Sequence, residues 1–354
     1  MMQNIFTNTL VTLYILFFFL FFGCKTAMNV KYASILVTNE TNGVEDEVNI
    51  KLSIDEKKGL LSMVSIPDSV LSNKTLDFLL SNQVSGIVLF SYNIINETQL
   101  RKLISDLKNG LKKDLLIAID QEGGSVNRIS WDKNAKYSAR YIGSKNDYDY
   151  AYKIAYERSK FLLDLGINVI LGPVCDIAPS RSSYIYERSF GTDSAIVSRM
   201  IEATVKAQKD AGIITVLKHF PGLGSTAIDS HINFPVINHD LETLLTNDFK
   251  PFVSGINSGA EMVMLGHIIN KNIDPDTPAS LSKNYLKLLD GIGFTGIVLT
   301  DDLSMTGEIK NGIGWGVNII SGDYDFIQEK IDSINPLDDY CEKLIMIKKN
   351  IEVK

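Results

Sequence analysis

The sequence predicts an α/β protein of the (β/α)8 TIM-like barrel type, a single domain over residues 50–354. Three observations carry this expectation. Eight short apolar runs recur after Leu52. Each run is apolar without a break, the pattern of parallel strands covered on both faces, where a half-exposed strand would alternate. Residues with chemistry in them stand directly after five of the runs, and a barrel gathers all its strand ends at one face. Eight alternations over about 270 residues match a barrel in size, whereas an open doubly wound sheet usually has fewer strands.

In chain order, the first run is 61–66 and the second 86–90. The stretch 97–112 follows, with Leu100, Leu103, Ile104, Leu107 and Leu111 at helical spacing. The third run, 115–119, leads into Asp120-Gln121-Glu122-Gly123-Gly124, and the fourth, 167–171, into Pro173-Val174-Cys175-Asp176. A second helical pattern covers 193–210 through Ile196, Met200, Val205 and Ala207. The fifth run, 213–217, gives out at Lys218 and His219, the sixth, 261–265, at Gly266-His267, and the seventh, 296–299, at Thr300-Asp301-Asp302. The eighth is 317–320. The segment 304–315 between the last two is too short for the helix a barrel places there, so an irregular closing corner is expected. One acidic residue after a strand is usually a helix N-cap. Five polar ends in succession argue instead for one shared site.

The chain after the fifth run is the densest in chemistry. From Lys218 to His231 it holds two of the four histidines, and Pro221, Gly222 and Gly224 stop the strand. Asp229 and His231 stand at i and i+2, so the carboxylate can fix the imidazole tautomer and raise the basicity of its other nitrogen. Gly222-Leu223-Gly224 with Ala227 imitates a dinucleotide fingerprint, but a proline precedes it and no helix start follows.

The formal charge of −7 and pI near 5.3, without a basic cluster that could track phosphates, exclude a nucleic-acid binder. No metal and no cofactor is expected. The three cysteines lack metal-ligand spacing, and Cys175 and Cys341 read as free thiols. Residues 10–22 are almost wholly apolar and end in Gly23-Cys24-Lys25. That length falls short of the roughly 20 residues of a membrane span and suits the core of a signal peptide. A small residue before a cysteine resembles a lipoprotein cleavage site, with Cys24 acylated; the alternative for residues 1–24 is an uncleaved membrane anchor. Residues 25–49 are polar and read as a tether. In either case the folded body is expected outside the cytoplasmic membrane, periplasmic or at the cell surface, held through a lipid or apolar anchor.

The residues at the strand ends suit retaining glycoside hydrolysis, which needs a carboxylate nucleophile and a group that first donates and then accepts a proton. Asp301, at the end of a buried strand, is placed for the first role. A histidine oriented by Asp229 can serve the second, because its pKa lies near operating pH. Asp120, Arg188, Lys218 and His219 would hold sugar hydroxyls through charge-assisted hydrogen bonds.

Six ordered segments carry a family resemblance: Leu52-Ser53-Ile54-Asp55-Glu56-Lys57; Ala118 to Gly124 with Arg128; Glu187-Arg188-Ser189-Phe190-Gly191; Lys218-His219-Phe220-Pro221-Gly222 with Asp229-Ser230-His231; Asp274 to Ser280; and Thr300-Asp301-Asp302-Leu303-Ser304-Met305. Over nearly all of the chain after Leu52 it resembles glycoside hydrolase family 3, in the branch of the bacterial β-N-acetylglucosaminidases of the NagZ type. The resemblance implies Asp301 as nucleophile, His231 on a mobile loop as acid/base and Asp229 as its orienter. It also implies sugar contacts from Asp120, Arg128, Arg188, Lys218 and His219. The activity implied is exo-acting and retaining, removing terminal N-acetylglucosamine from cell-wall or chitin-type fragments through a covalent glycosyl-enzyme, so the partner is a small carbohydrate. The β-glucosidase branch has an extra C-terminal domain that supplies a Glu acid/base, for which this chain ends too soon. Family members commonly carry His and Asp where this chain has Leu223 and Ser225, and Arg where it has Ser125. Two other readings stay open: a non-catalytic sugar-binding surface lipoprotein, and a phosphorolytic β-glycosidase of the same family.

Overall fold

The computed structural model describes residues 52–112, 114–229, 234–305 and 312–352. The signal or anchor segment with Cys24, the tether, His231 and the middle of the segment joining the last two runs lie outside the described residues. The chain divides at Asn49, and the barrel lies wholly in the second unit, Ile50–Lys354.

All eight apolar runs form strands: β1 Ser62–Val64, β2 Gly86–Leu89, β3 Leu116–Ile119, β4 Val169–Ile170, β5 Ile214–Phe220, β6 Met262–Leu265, β7 Ile297–Thr300 and β8 Asn318–Ile320. They form one parallel sheet in the order β7-β6-β5-β4-β3-β2-β1-β8. Strand residues from Met63 to Ile320 are almost fully buried, and each Val, Leu or Ile so removed from water contributes about 1.5–3 kcal/mol. The ring closes between β7 and β8 by a single parallel bridge, Leu299 to Val317, where the other neighbours have ladders. Backbone bonds from Thr300 N to Val317 O and from Val317 N to Val298 O, each 2.9 Å, complete the contact. The approach is close enough to require glycine, since a Cβ on Gly316 would lie 2.1 Å from the Val298 carbonyl oxygen. No helix occurs among the described residues between β7 and β8, so the closing corner is irregular there.

One strand boundary differs from the apolar reading. β5 continues through Lys218 and His219 to Phe220, whereas the apolar run stops at Leu217. The two polar side chains stay in the strand because buried partners at the barrel end receive them. Phe220 returns to the core, stacked on Phe249 at 4.7 Å and edge-on to Phe252.

Outside the sheet lie α1 Ile54–Leu60, α2 Asn73–Asn82, α3 Glu97–Leu111, α4 Ala139–Lys145, α5 Tyr148–Asp164, α6 Ser194–Ala211, α7 Lys250–Asn257, α8 Lys283–Gly291, α9 Tyr324–Ser333 and α10 Asp338–Glu352. α3 buries the expected stripe of Leu100, Leu103, Ile104, Leu107 and Leu111. α6 starts one residue later than its pattern because Asp193 is the N-cap, accepting from the backbone of Ala195 and Ile196. Cys175 and Cys341 are buried free thiols. Among the described residues, no helix is long and apolar enough to cross a membrane.

Candidate active site

The carboxyl ends of β3 to β7 bring their charged residues together. Lys218 Nζ, 3% exposed, lies 2.5 Å from Asp120 Oδ1 and 2.7 Å from Glu122 Oε1. Arg188, after β4, meets Glu122 as a fork, Nε to Oε2 and Nη2 to Oε1, both 2.8 Å. Arg128 Nη2 stands 3.5 Å from Asp120 Oδ2. Burial alone would raise the Glu122 pKa, yet Arg188 and Lys218 outweigh it and hold the carboxyl far below the usual range. Burial acts against the charge of Lys218 and Arg188 as well. Asp120 and Glu122 outweigh it for Lys218, Glu122 foremost for Arg188, and both cations end above their ordinary values. Glu122, Lys218 and Arg188 are therefore all charged at neutral pH.

Local sequence explains how Glu122 and Arg128 reach this position. Gln121–Gly123 pairs antiparallel with Val126–Asn127 in a short ribbon that turns at Gly123 and Gly124, with φ of 90° and 67°. A Cβ on Gly123 would strike the Tyr137 carbonyl oxygen at 2.2 Å, so only glycine fits. The buried Gln121 amide accepts from the backbone of Arg128 at 2.9 Å and of Ile129 at 3.0 Å, fixing the return strand.

On β5, His219 Nδ1 lies 2.7 Å from Asp176 Oδ2. Asp176 also accepts from Leu223 N at 2.6 Å. A carboxylate can only accept, so Nδ1 carries the proton and Nε2 turns toward Arg188 Nη2, 3.5 Å away. After β6, His267 places Nδ1 2.7 Å from Ser280 Oγ and Nε2 2.8 Å from the Asp302 carbonyl oxygen. Burial dominates there and lowers its pKa, against the pull of Asp301.

The two adjacent carboxylates after β7 are used differently. Asp302 accepts from Ser304 N at 3.0 Å, from Ser321 N at 3.1 Å and from the Ser321 hydroxyl, fastening β7 to the end of β8. Asp301 accepts from Asp302 N at 2.9 Å, and among the described residues no side chain bonds it. Burial raises its pKa, but His267, His219, the Asp302 N–H and Lys218 outweigh that and keep it below the ordinary carboxylate value. Asp301 and His267 each favour the other's charge; burial prevails only at the imidazole.

Asp229 ends the described part of the loop after β5 and is half-buried. Leu223, 2% exposed, packs with Val174, Ala178, Ile185, Ile237 and Ile268, so an apolar peg anchors this loop where family members commonly carry a histidine. Gly224 lies so close to Ile177 that a Cβ would be 1.6 Å from its carbonyl oxygen. Ser125 is exposed at the ribbon turn.

Asp120, Arg128, Arg188, Lys218, His219 and Asp301 thus share one face. Glu122 and Asp176 belong with them and were not expected: Glu122 neutralises two of the cations and Asp176 orients His219. The signal for both was position, since each stands within a strand-end segment that the sequence had already marked. Among the described residues, no group of His, Cys, Asp and Glu could hold a metal ion.

The glycosyl hydrolase family 3 N-terminal domain matches residues 53–314. The chain belongs to glycosyl hydrolase family 3. It is a glycoside hydrolase, similar to the beta-hexosaminidase of Xylella fastidiosa (strain M23), with 31% identity over 271 residues, 74% of this chain and 80% of that protein. Among solved structures it is similar to a family 3 beta-N-acetylglucosaminidase from Paenibacillus sp. str. FPU-7, with TM-score 0.80 and 28% identity over 86% of this chain; the match spans 63% of the Paenibacillus chain. It is also similar to NagZ from Neisseria gonorrhoeae in complex with N-trifluoroacetyl-D-glucosamine, with TM-score 0.72 and 26% identity over 82% of this chain and 92% of the other.

Proposed function

We propose that this family 3 hydrolase is an exo-acting, retaining β-N-acetylglucosaminidase that removes terminal N-acetylglucosamine from cell-wall or chitin-type fragments. The observation that carries the reading is the contrast among carboxylates at the barrel mouth. Asp120, Glu122, Asp176 and Asp302 are held by cations, an imidazole, N–H groups or hydroxyls, whereas Asp301 is ionised and bonded only to its neighbour's N–H among the described residues. An ionised carboxylate fixed at a strand end is what a nucleophile requires. Asp301 attacks the anomeric carbon while His231, oriented by Asp229, protonates the departing oxygen. His231 then takes a proton from water, the water displaces Asp301, and two inversions give net retention. Asp120, Arg128, Arg188, Lys218 and His219 hold the sugar hydroxyls and the acetamido group. The beta-hexosaminidase and beta-N-acetylglucosaminidase relatives support the substrate class.

The test is release of aryl alcohol from an aryl β-N-acetylglucosaminide, with proton NMR of the first-formed sugar. Wild-type chain should release it with the β-anomer formed first, and Asp301→Ala should lose on the order of 10⁴-fold or more. Equal release by both proteins would end the reading, and saturable N-acetylglucosamine binding without release would favour a sugar-binding lipoprotein. Residues 1–24 are proposed as a lipoprotein signal with Cys24 acylated. Wild-type chain should then fractionate with membranes and Cys24→Ser should not.

A further inference from the structure

The segment 274–280 reaches the barrel mouth through one hydroxyl. Asp274 accepts from Thr277 N at 3.2 Å and from Ser282 Oγ at 2.5 Å, which closes the segment into a turn. Ala279 N then donates to Ile268 O at 2.8 Å and Ser280 N to Gly266 O at 3.1 Å. These two backbone bonds bracket His267, so the Ser280 hydroxyl stands 2.7 Å from His267 Nδ1, with both residues buried. The other ring nitrogen, Nε2, lies 2.8 Å from the Asp302 carbonyl oxygen. A carbonyl can only accept, so Nε2 carries the proton. Burial holds the imidazole below its usual pKa, so the ring is neutral and Nδ1 accepts from Ser280. Asp302 is in turn the residue that holds Asp301. Its N–H donates to Asp301 Oδ1 at 2.9 Å, and its carboxylate is taken by Ser304 N and Ser321. The carbonyl is its remaining backbone group, and His267 supplies the donor.

We infer that His267 is a positioning residue for the nucleophile: oriented by Ser280, it fixes the Asp302 backbone so that the Asp302 N–H engages one Asp301 oxygen and leaves the other to the anomeric carbon. This rests on the reading of Asp301 as nucleophile. Among the described residues no side chain bonds Asp301, so its aim is set by the backbone it stands on. That backbone is held on one side by Asp301 N donating to Leu265 O at 2.9 Å and on the other by His267. A displacement of about 1 Å at a reacting group can cost on the order of 10²-fold in rate. The group displaced here is the nucleophile and not the acid, so the loss is the same for good and poor leaving groups.

The experiment compares His267→Gln, His267→Asn and Ser280→Ala in the full chain, with Asp301→Ala as control. A Gln amide brings an N–H to about where Nε2 stood, whereas an Asn amide stops at the level of Nδ1 and leaves the Asp302 carbonyl without its donor. kcat/KM is measured on an alkyl and on a dinitrophenyl β-N-acetylglucosaminide, since kcat/KM reports the glycosylation step. His267→Asn should lose about 10²-fold on both substrates alike, and His267→Gln should stay within about fivefold of wild type. Ser280→Ala should lie between, at about tenfold, because the ring keeps its donor and loses the hydroxyl that orients it. A readout independent of turnover is long-range proton–nitrogen NMR of the labelled wild-type chain at neutral pH. It should show His267, identified by its absence from the His267→Gln spectrum, as the neutral Nε2–H tautomer. An Nδ1–H or doubly protonated ring would overturn the inference. So would equal losses in the Gln and Asn variants, a loss confined to the alkyl substrate, or wild-type kinetics in His267→Asn. If His267→Asn does not fold, Ser280→Ala decides, and a loss below about threefold there overturns the inference. All of these outcomes leave the nucleophile reading standing. Full activity in Asp301→Ala would instead end that reading, and the role of His267 with it.

Discussion

Glu122 is the residue on which the charge balance of the barrel mouth rests, and Glu122→Gln tests that balance with little change of shape. Its side chain is 5% exposed and meets Lys218 and Arg188 at 2.7 and 2.8 Å. The amide keeps one acceptor but removes the charge, leaving Arg188 without its carboxylate and Lys218 with Asp120 alone. Removing one partner of a buried ion pair costs about 3–5 kcal/mol. For a folded unit of about 300 residues, an unfolding entropy of about 2.1 cal/mol/K per residue converts this to a fall of about 5–8 °C in melting temperature. The pH dependence gives a second number. The folded-state pKa of Glu122 is depressed, so its contribution is present above the unfolded value of about 4.3 and is lost as pH falls toward the folded value. The gap between wild type and variant should therefore shrink by about 1 kcal/mol from pH 7 to pH 3.5, whatever the folded pKa, provided it lies well below 3.5. Urea unfolding of both proteins across that range measures it. A gap below about 1 kcal/mol at pH 7, or one that does not change on acidification, would refute the reasoning.

If His231 protonates the leaving oxygen, His231→Ala should lose about 10² to 10⁴-fold on an alkyl or sugar aglycone and much less on a dinitrophenyl one; equal losses would move the proton donor elsewhere. Leu223→Ala empties a buried site in the small cluster that seats the loop and should cost about 2–3 kcal/mol by urea unfolding. It should also depress kcat on poor leaving groups, because the undocked loop carries Asp229 and His231. Wild-type kinetics in Leu223→Ala would show that the peg does not seat the dyad.

How much was legible in the sequence follows from the range of the physics. All eight strands could be found because a strand covered on both faces is continuously apolar, a property of the strand's own residues. The α3 stripe was legible for the same reason: helix spacing is settled within a few residues. The family motifs also named most of the residues that gather at the barrel mouth, since Asp120, Arg188, Lys218, His219 and Asp301 each stand in an ordered segment.

Other features depend on distances between residues far apart in the chain. The end of β5 at Phe220 could not be placed from hydropathy, because Lys218 and His219 are stable in a buried strand only when Asp120, Glu122 and Asp176 arrive from β3 and β4. The division of labour between Asp301 and Asp302 is equally non-local. The two are chemically identical and adjacent, and Ser321, directly after β8, claims one of them. Leu223 read as a departure from a polar family pattern; its meaning as an anchor appeared only with the pocket formed by Val174, Ile185, Ile237 and Ile268. Sequence by itself determined the barrel, its strands and the residue types at its mouth, because these follow from local pattern. The tertiary structure decided which of those residues are neutralised and which carboxylate stays available, because ion pairing and burial are set by neighbours that the chain order does not place together.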